Sequence, residues 1–114
     1  MPTRYYLSLP DPQRARGSDA GLAFSAHGAD EFAAQLQDAL RTTALFERWR
    51  AQQEDPDGVD PGMGVTDPQA TVRGEQDDLH VDLIVTSSIP GNVLKHRLRL
   101  LAGGGWELRD VTSA

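Results

Sequence analysis

The stretch VLKHRLRLLAGGGWELRDVT, Val93 to Thr112, decides the fold of this chain, because three glycines divide two runs that both look like strands. Leu98 and Leu100 alternate with Arg97 and Arg99, and Trp106 and Leu108 keep the same two-residue spacing. That is the period of an extended chain with one face buried. If the runs pair as a hairpin, loop length fixes which side chains share a face. A three-residue loop, Gly103 to Gly105, sets Leu100 opposite Leu108 and Ala102 opposite Trp106. A five-residue loop sets Leu100 opposite Trp106 and Leu98 opposite Leu108. An even loop would mix leucines with Arg109 and Glu107, so an odd loop is expected. Glycine also supplies the positive φ that such loops need. The consequence is chemical: Lys95, Arg97, Arg99 and Arg109 would share the solvent face, and His96 would lie on the apolar one.

Working outward, LHVDLIVT (Leu79–Thr86) is the clearest strand. Leu79, Val81, Leu83 and Val85 point one way, and His80, Asp82 and Thr86 the other. ATVRGE before it reads as a further strand, with EQDD as the turn between them. SSIPGN reads as a second turn, its Pro-Gly suited to type II geometry. Near the N-terminus, RYYLSL (Arg4–Leu9) is a strand ended by Pro10, Pro12 and Gly17, and LAFSA (Leu22–Ala26) is a short strand or a helix approach.

One long helix is expected over Asp30–Gln53. Asp30 and Glu31 suit its N-terminus, with Gly28 or Asp30 as N-cap. Phe32, Ala33, Leu36, Ala39 and Leu40 form one apolar face. After Thr42 and Thr43 the stripe moves to Leu45, Phe46 and Trp49. The helix therefore kinks there or docks its second half elsewhere. The sum is a single α+β domain over 1–114: one long helix with a strongly bent antiparallel sheet of about five strands.

Composition narrows the function. A chain of 114 residues suffices for one core and does not need a disulfide or a metal to fold. The absence of cysteine removes disulfides, thiolate catalysis and Cys-based metal sites. No apolar run is long enough for a signal peptide or a membrane helix, so a cytoplasmic protein with no membrane partner is expected. The net charge of −6 is uneven. Residues 54–82 carry nine acidic side chains and one basic, a net of −8, whereas residues 83–114 carry four basic and two acidic, a net of +2.

The acidic region includes EDPDGVDPGMGVTDP, Glu54 to Pro68. With Asp55 as the first position, an EF-hand frame would place Asp60 where glycine is required and Thr66 where a glutamate is required, so the frame fails. Three Asp-Pro pairs are turn formers, and a flexible connector over 54–68 is expected, with Val59, Met63 and Val65 as potential anchors for a partner. His80 and Asp82 share a strand face and make half a metal site without a third ligand evident from spacing. His27 reads as a helix-entry residue, and His96 as a satisfied, partly buried histidine. No serine sits in a nucleophile elbow, and the phosphate-loop, dinucleotide and HExxH patterns are missing. No catalytic residue, metal or cofactor is assigned.

The pair Lys95-His96 opening KHRLRLL, after a helix and within a bent antiparallel sheet, resembles the Sm-like family of small RNA-binding β-barrels. The resemblance implies RNA contact at Lys95 and His96 and ring assembly through strand edges. A cystatin-like sheet wrapped on one helix has the same element order. Two functional readings follow. The first is a non-catalytic protein-binding or self-association module using a sheet edge, Leu45, Phe46 and Trp49, and the acidic loop. The second is an RNA binder using Lys95, His96, Arg97, Arg99 and Arg109. A metal-binding or enzymatic domain around His80 and Asp82 stands behind both.

Overall fold

A computed structural model describes residues 2–114. The elements run β1 (Thr3–Leu9), α1 (Ala29–Arg41), α2 (Ala44–Ala51), β2 (Thr71–Asp77), β3 (His80–Ser87), α3 (Gly91–Ala102) and β4 (Glu107–Ser113). The strands form one antiparallel sheet in the order β2-β3-β1-β4. With α1 and α2 taken together, this is two interleaved split βαβ units, the arrangement of ferredoxin-like sandwiches. Among the described residues no helix is long and apolar enough to cross a membrane.

One core explains the layers. Tyr5, Leu7 and Leu9 of β1 and Val81, Leu83 and Val85 of β3 are buried with Phe32, Leu36 and Leu40 of α1 and Leu94 and Leu98 of α3. The helices therefore cover one face of the sheet. The α+β class and the strands β1, β2 and β3 agree with the sequence reading; several finer expectations do not. The expected single helix is two, broken at Thr42, which is extended at ψ 165 and ends α1 with its hydroxyl on the Asp38 carbonyl at 3.1 Å. Among the described residues there are four strands, not five, and the sheet is open, so neither a closed barrel nor a one-helix wrap forms. LAFSA forms no strand; Leu22, Phe24 and Ala26 are buried in an irregular segment whose Phe24 amide donates to Leu101.

The largest correction falls on Val93–Ala102, which is helical. Val93, Leu94, Arg97, Leu98, Leu101 and Ala102 are buried, a helical stripe in which Arg97 takes a core position. That charge, together with Leu100 beside the stripe, imitated a two-residue period. The Val93 and Leu94 amides donate to the Pro90 carbonyl at 3.0 and 3.1 Å, and Gly103 ends the helix at φ 62. Gly103–Gly105 thus joins a helix to a strand. The neighbour of β4 is β1, and the register steps from Tyr6↔Asp110 to Leu7↔Leu108, leaving Arg109 as the extra residue of a bulge. The β2–β3 turn is Asp78–Leu79, later than EQDD, with Asp78 at φ 56 and Leu79 81% exposed.

Residues 54–68 form two 3-10 turns, Pro56–Gly58 and Pro61–Gly64. The Asp-Pro aspartates cap them: Asp55 accepts from the Gly58 amide at 3.2 Å and Asp60 from the Gly62 amide at 2.8 Å. The segment is tethered from three sides. Arg97 donates to the carbonyls of Met63 at 2.7 Å and Val65 at 3.0 Å, Arg50 donates to that of Pro56 at 2.9 Å, and Asp67 accepts from Ser87 Oγ at 2.9 Å.

Candidate functional site

Register arranges the sheet in rows. On the helix side run Val72–Val85–Tyr5–Val111 and Gly74–Leu83–Leu7–Leu108. On the open side run Arg73–Ile84–Tyr6–Asp110 and Glu75–Asp82–Ser8–Glu107. The open side is a shallow hollow floored by Tyr6 and Ile84, with Glu75, Asp77, Asp82 and Glu107 around it. Two of its three arginines are engaged, Arg73 with Glu75 and Arg109 with Glu107 at 3.1 Å, and with Arg4 they are outnumbered by Glu75, Asp77, Asp82, Glu107 and Asp110. A face of this sign repels phosphate.

The helix-side rows end unevenly. They are buried through β3 and β1, then run out into solvent on β4, where Leu108 is 37% and Val111 48% exposed. Every residue of β4 is exposed, and β4 is the last strand of the sheet. The end of the sheet at β2 is different. The Val72 amide donates to Gln37 Oε1 of α1 at 3.0 Å, and Arg41 of α1 donates to the Ala70 carbonyl at 2.6 Å. The start of α1 lies so close on β2 that a Cβ on Gly74 would come within 2.2 Å of the Ala29 carbonyl oxygen.

The residues singled out from sequence are dispersed. Lys95, His96, Arg97 and Arg99 are on α3, whereas Arg109 is on β4, so the basic face of a hairpin does not form. Arg97 is fully buried, with its guanidinium over the Phe46 ring at 5.5 Å and no partner for Nε. Burial pushes its pKa down. His96 packs edge-on against Trp49 at 4.4 Å, and its buried Nδ1 has no partner, so it is not the satisfied histidine expected. Burial, then the charges of Arg97 and Arg99, lower its pKa. Leu45 and Phe46 are 3% and 4% exposed and Trp49 is half-buried, so the expected interface anchors pack inside the chain.

His80 and Asp82 do share the open face, and the turn brings Asp77 to them. One ligand atom from each lies within 4.8 Å of the others, and His80 Nε2 is 3.4 Å from Asp82 and 3.7 Å from Asp77. Asp77 is the third group with a ligand-type atom in this cluster, which spacing along the sequence did not show. These groups are partly or fully exposed and answer one another's charge when His80 is protonated. The feature sequence reasoning missed is the bare apolar end of β4; its signal was Leu108 and Val111 at a three-residue spacing, which only a bulge can set on one face.

Comparison with protein-family models, with curated proteins and with solved structures found no match to this chain.

Proposed function

We propose that this chain is a non-catalytic binding module that receives an extended protein strand along the free edge of β4. The observation that carries the reading is the exposure of Leu108 and Val111 at the end of otherwise buried apolar rows. An edge strand offers unpaired backbone groups, and apolar side chains on one face choose what is added. The other sheet edge is capped by α1, and the open face is acidic, so neither competes for this role. An RNA reading draws less support, because its basic residues stand on two elements and Arg97 is buried.

Selection of short displayed peptides against the immobilised chain tests the reading. Enriched sequences should alternate apolar and polar residues and lose binding to Val111→Lys. Peptides that bind the Leu108→Lys and Val111→Lys chains as well as the original would overturn it.

A further inference from the structure

We infer that the strand received by β4 is β4 of a second copy of this chain, laid antiparallel about a two-fold axis between Arg109 and Asp110. The inference rests on the edge-docking reading above and names its partner.

The bulge carries the argument. In a regular strand neighbouring residues face opposite ways, so self-pairing about a point between two residues would set opposite faces together. The extra residue in β4 removes that conflict. Leu108 and Val111 lie opposite Leu7 and Tyr5, on the helix side. Glu107, Asp110 and Thr112 lie opposite Ser8, Tyr6 and Arg4, on the open side, and Arg109 joins them through its bond to Glu107 at 3.1 Å. Pairing about this axis then sets Leu108 of one protomer opposite Val111 of its partner, Arg109 opposite Asp110, and Glu107 opposite Thr112, each twice by symmetry. Every pair stays on one face. Apolar meets apolar, and cation meets carboxylate. A slip of one residue would set Leu108 against Asp110 or Thr112, across the faces.

The product is a single sheet in the order β2-β3-β1-β4-β4-β1-β3-β2, with the row Leu83–Leu7–Leu108 running on into Val111–Tyr5–Val85 of the partner. In the lone chain the two charges are engaged locally, Arg109 with Glu107 and Asp110 as acceptor from the Val111 amide at 2.8 Å. Pairing exchanges these local partners of Arg109 and Asp110 for partners across the two-fold axis.

The test is sedimentation velocity of the full chain over a range of concentrations, with Arg109→Asp, Asp110→Arg, their double variant and an equimolar mixture of the two singles. The original chain should rise from 12.4 kDa toward twice that mass. Each single change sets like charges opposite one another twice and should weaken association roughly tenfold. The double variant and the mixture both restore opposite charges and should recover it. Recovery on mixing also excludes misfolding as the cause of the loss. A chain that stays monomeric throughout overturns the second copy, while peptide selection still decides the strand-docking reading. Association unmoved by either single change, or not recovered on mixing, overturns the register.

Discussion

The two edges of this sheet differ in cover. At β2 a helix lies over the strand, a glutamine takes an outward amide, and Arg73, Glu75 and Asp77 line the rim. At β4 the apolar residues of the helix side stay open, Leu108 37% and Val111 48% exposed, and a bulge sets them on one face. Charges and cover are how natural sheets keep strands from adding at an edge. Both rims carry charge, three such residues on each strand, so the difference lies in cover: α1 lies over β2, whereas Leu108 and Val111 of β4 stand open, which favours β4 as the receiving edge in the proposed reading.

Uncovering β2 should produce the largest effect. Gly74→Val forces α1 off the strand and should cost about 3 kcal/mol in urea unfolding, the upper range of overpacking; a cost below 1 kcal/mol would show that α1 is not the clamp it is taken for. Gln37→Ala leaves the helix in place and frees only the Val72 amide. It should cost about 1 kcal/mol and speed hydrogen exchange at Val72 above its neighbours.

Acid separates the edges from the interior. His96 has a lowered pKa in the folded chain because burial and the charges of Arg97 and Arg99 oppose its proton. The unfolded chain therefore takes up the proton first, and the stability that neutral His96 provides, complete above pH about 6.5, is lost as pH falls below it. The thermal midpoint should drop by a few degrees between neutral pH and pH about 5, and His96→Phe should flatten the drop. The loss should be equal in the original chain and in Val111→Lys, since His96 touches neither edge. Val111→Lys itself should change stability by less than about 0.5 kcal/mol while abolishing strand binding. The smallest expected effect is none: labelled single-stranded RNA should show no salt-dependent anisotropy change, because the open face between the edges is acidic. Binding lost on raising salt and on Lys95/Arg99→Ala would return the RNA reading to the front.

How much of this was legible varied with the range of the interaction. β1, α1 and β3 declared themselves because Tyr5, Leu7 and Leu9, Phe32, Leu36 and Leu40, and Val81, Leu83 and Val85 follow clean periods. α3 did not, because a buried arginine stands in its stripe. Its true partners are carbonyls of Met63 and Val65, more than thirty residues away, and no local pattern announces them. The extent of β4 was readable, but its partner was assigned to the adjacent run. The ladder it forms joins the two ends of the chain, and the bulge that defines the candidate site exists only against β1. His80 and Asp82 were visible as a pair, whereas Asp77 needed the turn moved to Asp78–Leu79.

The strand order bears on how the chain is made. β1 is synthesised well before both its neighbours: β3 begins at His80 and β4 at Glu107. A ribosome adding ~5–20 residues per second needs several seconds to cover the gap from Leu9 to His80. Through that interval Tyr5, Leu7 and Leu9 leave the exit tunnel with no sheet to join. Until β3 emerges, this interior strand of the sheet offers its apolar side chains to any chaperone that holds such segments.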